Sequence, residues 1–517
     1  MLFNSVEFIF LFLPAVLGGF YLLRRFGFVS AAFIFLILMS LVFYSVWSPR
    51  YALLLCASLV INYFIGRLIE KAVNGEASYS RNIPLVVGVT GNLLVLFYFK
   101  YTNFFLDNLN IALGTHLTWH RVLLPLGISF FTFQKIAYLI DMARGEIQGR
   151  GFWRYTLFVL FFPQLIAGPI VHFKEISPQF DRHAPGRFPA ANITIGLAIF
   201  AIGLFKKTVI ADTAAIFATP IYDSAHHGEL IYVWQGWLAG LVYTIQLYFD
   251  FSGYSDMAIG LARMFNVKLP LNFHSPLKSL SIIDYWRRWH MTLQRFIVSY
   301  IYQPIAIPMN RYAAEKDLGR SGRFVVATAI PSLTSFILIG IWHGAGWTFA
   351  IFGLMHGIYI VVNEMWREIN RKRRRKLKKE TPGQLRVAYW LLMLFCVLCA
   401  NIMFRAEAVT DAFAIYRGMF GFNGFGSDLY GPGAIPLGAV LTIVIGFGII
   451  LLFPNTQQIM RRYGPALDSA SWIPVSLVPR SMSWRPSVLW AGATALTLYL
   501  GIIFVMRGQS EFIYFNF

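Results

Sequence analysis

Apolar stretches close to the length of a membrane helix recur along this chain, and they constrain its fold more than any other feature. They lie near 7–23, 28–48, 51–66, 83–99, 122–141, 155–173, 193–210, 231–249, 324–342, 347–363, 388–404, 435–453 and 488–506. A bilayer core takes about 20 apolar helical residues. In lipid only helices and closed barrels pair every backbone N–H and C=O. The runs predict an all-α, polytopic membrane bundle of about 11–14 membrane helices, some short or re-entrant because Gly and Pro interrupt them. The charge-interrupted stretch 281–305 is read as interfacial or re-entrant.

Composition removes the alternatives. Of 517 residues, 57% are hydrophobic and only 13% charged, against about 25% charged in an ordinary soluble domain. Aromatic residues make up 17%, the reverse of a disordered composition. No repeat of about 20–50 residues is visible, so 1–517 reads as a single domain. Cys56, Cys396 and Cys399 lie inside apolar runs, which excludes a disulfide framework and points to packing.

Lys and Arg number 44 against 24 Asp and Glu, a formal charge of +20. The basic residues sit in short loops between apolar runs, as the positive-inside rule and anionic lipid require. Nucleic acid is not an expected partner, because no soluble basic domain exists to hold it. Residues 1–6 carry no positive charge, and the first run ends in Arg24-Arg25. It therefore reads as a retained span of an inner-membrane, multi-pass protein rather than a cleaved leader.

The run 371–379, RKRRRKLKK, holds eight basic residues in nine and marks 367–386 as a cytoplasmic loop. With Arg311, Lys316, Arg320 and Arg323 on the same side, 324–363 becomes an inward-opening hairpin turning at 342–347. Counting spans onward leaves 507–517 as an external tail.

Polar groups within apolar runs are the informative ones, since burying them is costly without a partner or a task. His343 stands at the hairpin tip beside Trp342 and between glycines. An imidazole with an ordinary pKa near ~6.5 exchanges protons at neutral pH, although a histidine bonded to a carbonyl would look the same. His290 closes Asp284-Tyr-Trp286-Arg287-Arg288-Trp289-His290. If helical, Trp286 and His290 share a face. Trp286, Arg287 and Arg288 then suit either a donor site, with the arginines on the donor's phosphates, or an interfacial aromatic belt with basic anchors. Asp250 and Asp256 close another run, around a glycine and serines that allow unwound backbone. They suit a proton relay, a cation site or hydrogen-bonding to those arginines, and a structural hydrogen-bond role is the favoured reading. Gln134 belongs to a polar seam at 125–141 suited to helix packing. His116, His120, His183, His226 and His227 fall in expected loops. Metal-ligand spacing, phosphate loops, dinucleotide fingerprints and serine elbows are not seen, so no metal or bound cofactor is expected.

The stretches MLFNSVEFIFLFLP at the start, PLGISFFTFQKIAYLID at 125–141, FFPQLIAGPIV at 161–171, IQLYFDFSGYSDMAIGLARMF at 245–265, DYWRRWHMTLQRF at 284–296, IGIWHGAGWTFAIFGLMHG at 339–357, MFRAEAVTDAFAIYRGMF at 403–420 and FIYFNF at 512–517 resemble the membrane-bound O-acyltransferase family. Within it they resemble the membrane subunits of alginate O-acetyltransferases. The resemblance implies a helical fold around a central tunnel, a catalytic histidine at His343 and a second characteristic histidine at His290. It implies transfer of acetyl from a cytoplasmic thioester, acetyl-CoA above others, toward an exported polysaccharide. The implied partners are a periplasmic acetyltransferase and the polymer's synthesis and export machinery. Residues 294–308 depart from the branch's pattern, so the polymer stays open: alginate, cellulose or another. From its residues the tail around Tyr514 suits an interfacial aromatic anchor; it also resembles that of a small partner in teichoic-acid D-alanylation, which implies that Tyr514 carries the acetyl group. A proton-coupled transporter or export channel is the competing class. An acyl-carrier-protein-dependent transferase acting on teichoic acid or lipid is the other enzyme reading.

Overall fold

The computed structural model describes residues 1–117, 120–149, 151–181, 190–370, 382–426, 436–467, 479–508 and 512–513. The basic run 371–379 and Tyr514 lie outside them. Among the described residues the protein is helical throughout, without a strand. Eight helical stretches among these residues are long and apolar enough to cross a membrane: Phe8–Arg25, Pro49–Val73, Asn82–Leu113, Ala190–His226, Arg320–His343, Trp347–Ile369, Gly383–Arg405 and Val488–Arg507. Val29–Ser45 and Leu437–Leu452 are shorter apolar helices. The chain is a multi-pass membrane protein.

Several other apolar runs are helices enclosed by protein. Ile128–Ala143 is buried at every position except Ile140, and a helix surrounded by protein is apolar on all faces for that reason. The run 155–173 breaks into Phe152–Leu160 and Phe162–Leu165, because Pro163 lacks the N–H to continue the first helix. Residues 248–256 stay helical within Val233–Met264, so the glycine there packs rather than unwinds.

Contacts group the chain into two compact units. The first comprises 1–205, 253–271 and 456–516. Here the helices carrying Gly196, Gly203 and Gly260 approach backbone to backbone: a Cβ on Gly203 would stand 2.7 Å from the Gly253 carbonyl oxygen. Small residues of this kind are what let helices pack in lipid, where burial of apolar surface supplies no driving force. Asp256 belongs to this unit and accepts hydrogen bonds from Thr456 Oγ1 at 2.6 Å and Gln457 Nε2 at 3.1 Å. Gln134 is buried in the same unit. Tyr254 stacks on Phe3 and on Phe512 of the tail, with ring centroids 5.0 and 4.4 Å apart.

The second unit comprises 206–252 and 272–455. Its centre is the hairpin of Ile330–His343 and Trp347–Ile369, the turn anticipated from the chain's charge pattern. A Cβ on Gly340 would lie 2.9 Å from Gly353 Cα. Gly344 and Gly346 are extended, with φ near −160° and −166°. A side chain on Gly344 would collide with the Phe349 ring.

Candidate active site

The second unit brings the hairpin tip, the 282–297 segment and the end of Gly383–Arg405 together. His343 ends its helix and is 3% exposed. Its ring is walled by Trp342 at 4.9 Å, Phe404 at 5.3 Å and Phe352 at 5.9 Å between centroids. The Trp342 ring also lies 6.4 Å from that of His290. One indole thus borders both histidines.

His290 does not continue the helix of Trp286. Ile282–Arg288 stops before Trp289, and His290 takes φ +43° and ψ 52° as it opens Met291–Ile297. A non-glycine residue in the left-handed region is uncommon, and such strain concentrates at functional sites. Seven-residue helices are about 10 Å long, too short to cross a bilayer. Two backbone bonds brace this corner: His274 N–H donates to Arg288 O and Met291 N–H to Asn272 O, each at 2.9 Å. His290 is completely buried, and burial lowers its pKa to about 3, so the imidazole is neutral. Its ring meets Phe251 edge-on at 4.7 Å.

The residues expected to hold the donor separate. Trp286 is buried, and its indole N–H donates to His356 Nδ1 at 3.1 Å. Arg287 is exposed on the protein surface, and Arg288 pairs with Asp284 at 3.0 Å. Asp250 answers to neither arginine. Its partner is Lys207, at 2.8 Å, which also reaches Asp212 at 2.7 Å. Lys207 sits in a widened turn, Lys206–Ala211, of the kind frequent at functional sites. Pairing a buried lysine with a buried carboxylate removes an unpaired charge that either would leave alone. His226 ends a helix rather than lying in a loop, and contacts Asp411 at 2.9 Å.

His356, Asn272 and Lys207 were not singled out from the sequence. For His356 and Lys207 a signal existed, a polar side chain within an apolar run. For Asn272, in an ordinary-looking loop, none did. A cavity of about 1070 Å³ lies elsewhere in this unit, bordered by Tyr302, Asn310, Arg320, Arg323, Glu364 and Glu368. Its arginines are engaged, Arg320 with Glu368 at 3.3 Å and Arg323 with Asn310 at 3.2 Å. Among the described residues no group of His, Cys, Asp and Glu could hold a metal ion.

The arrangement offers two enclosed imidazoles beside one indole, with apolar walls that exclude water. That is suited to proton transfer at a carbonyl centre. The profile of the membrane-bound O-acyltransferase family matches residues 85–405, which include both histidines. A peptidoglycan O-acetyltransferase of Helicobacter pylori is 37% identical over 100% of this chain and 98% of its own. The probable alginate O-acetylase AlgI of Azotobacter vinelandii is 34% identical over 88% of this chain and 85% of its own. A teichoic acid D-alanyltransferase of Streptococcus thermophilus is 27% identical over 50% of this chain and 62% of its own.

Proposed function

Because this chain belongs to the membrane-bound O-acyltransferase family, we propose that it moves acetyl from acetyl-CoA, bound from the cytoplasm, to a glycan outside the inner membrane. The observation that carries the reading is the enclosure of His343 and His290 around one indole, in the segment matched by an acyltransferase family. His343 takes the proton from an attacking hydroxyl. The hydroxyl oxygen adds to the thioester carbonyl, the C–S bond breaks, and the imidazolium returns the proton to the departing thiolate. General-base assistance of this kind contributes about 10²–10⁴-fold. Arg287, exposed beside the buried corner, is suited to holding donor phosphates, and Arg288, already paired with Asp284, would add to it only by leaving that carboxylate.

The acceptor is a cell-envelope or exported glycan. Relatives named for peptidoglycan and for alginate acetylation both align over most of the chain, so the shared chemistry is acetylation of a sugar hydroxyl. Tyr514 relays the group: its phenol oxygen takes acetyl from the thioester with loss of the thiol, then gives it up outside, regaining its proton, for delivery to the sugar. Phenolate, with a pKa near ~10, is a better leaving group than an alkoxide. A periplasmic acetyltransferase completes the transfer, beside the glycan's synthesis and export machinery.

The decisive experiment gives purified protein radiolabelled acetyl-CoA and follows thiol release and label on the protein or on added glycan. Thiol release that requires His343 is expected. Intact thioester, with no binding, would overturn the donor assignment.

A further inference from the structure

His290 shares one hydrogen-bond acceptor with Thr292. Asn272 Oδ1 lies 3.0 Å from His290 Nδ1, 2.9 Å from Thr292 Oγ1 and 3.4 Å from Thr292 N. The backbone N–H of Thr292 can only donate. The Asn272 atom facing it is therefore the oxygen and not the amide nitrogen. An oxygen in that place obliges His290 Nδ1 to carry a hydrogen. The proton of a neutral imidazole cannot also be on Nε2, so Nε2 presents a lone pair. That atom is buried and, among the described residues, has no hydrogen-bond partner.

We infer that Asn272 is a positioning residue for the acyl transfer: it fixes His290 as the Nδ1–H tautomer, so that Nε2 accepts a hydrogen bond from the hydroxyl or thiol reacting beside Trp342. This rests on the acyltransferase reading above and makes it more specific. His290 acts as a neutral acceptor, not as a cation or as a donor to the thioester oxygen. The geometry is held from several directions. Asn272 and His290 are completely buried, the backbone bonds from Met291 and His274 lock the two segments together, and the left-handed backbone at His290 aims the ring. The rings against it, Phe251, Phe273 and Trp342, are uncharged.

Nitrogen-15 histidine spectra of the full-length protein in lipid bilayers test the tautomer directly. The His290 signal is identified by its loss in His290→Gln. A neutral ring protonated at Nδ1 is expected at pH 7 and still at pH 5; a ring protonated at Nε2, or an imidazolium, overturns the inference. Activity supplies the second arm. Asn272→Leu should lower turnover by about 10²-fold, the scale of a misplaced reacting group, with little change in KM. It should cost nothing further in a His290→Gln background. Independent, multiplying losses would overturn the coupling. Asn272→Asp keeps the acceptor oxygen but its charge favours imidazolium, so acetylation should fall at neutral pH and return as pH rises. An unaltered pH profile in an active Asn272→Asp protein would also overturn it. A wild-type rate in His290→Gln would overturn the acceptor role of His290 while leaving His343 as the base.

Discussion

Gly340 and Gly353 cross so closely that a Cβ on either would stand about 3 Å from the other's Cα, at 2.9 and 3.0 Å. This crossing sets the hairpin that ends in His343. Gly340→Ala or Gly353→Ala places a methyl against backbone that cannot turn aside, and overpacking of this kind costs about 1–3 kcal/mol. Both variants should unfold at lower temperature and lose acetyl transfer. Gly91 has nothing within 4 Å of its Cβ position, so Gly91→Ala, measured in parallel, should be neutral or slightly stabilising. Equal melting temperatures for all three would remove the packing argument.

His343→Ala or His343→Gln should reduce acetylation by at least about 10²-fold while the protein inserts and accumulates normally. Quantifying membrane-extracted protein alongside polymer-bound acetate separates chemistry from folding. A parallel loss of both would mark His343 as structural. His290→Gln should retain more activity than either, since an orientation defect leaves the base in place.

Lys207 and Asp250 are 2% and 1% exposed and pair at 2.8 Å. Lys207→Met removes the cation that Asp250 and Asp212 share and should destabilise by about 3–5 kcal/mol. Adding Asp250→Asn should recover part of that loss, because the more deeply buried of the two carboxylate charges is then gone. Thermal unfolding of the two variants reads the difference; a double variant no more stable than Lys207→Met would show that the pair is not coupled.

Tyr514→Phe preserves the ring and removes the oxygen. If acetyl passes through that oxygen, glycan acetylation should vanish while donor binding persists. Isotopically labelled acetyl should also appear on the wild-type tail peptide in mass spectra. Near-normal acetylation by the variant would rule out the relay.

A single cysteine placed at Lys376 should resist impermeant thiol reagent in intact cells and react after permeabilisation, as a cytoplasmic basic loop requires. Labelling of intact cells would reverse the sidedness assigned to the donor.

Fold class and chemistry were legible in the amino-acid order for reasons local to the chain. Apolar runs of bilayer length make helices obligatory, because lipid leaves backbone groups no other partner. The hairpin at 342–347 follows from charges at its two ends and glycines at its turn. His343 and His290 stand out as polar groups in apolar surroundings, and the order of motifs points to the family. Which apolar runs face lipid and which are enclosed by protein was decided only by packing: Ile128–Ala143 is buried on every side, yet reads like a span. Partners were decided there too. Asp250 was expected beside Arg287 or Arg288 and is held by Lys207. Trp286 was expected to face a donor and donates to His356. Asn272 and His290 are 18 residues apart with a helix between them. A hydrogen bond is a matter of a few tenths of an ångström, and only the folded chain brings that oxygen to that nitrogen.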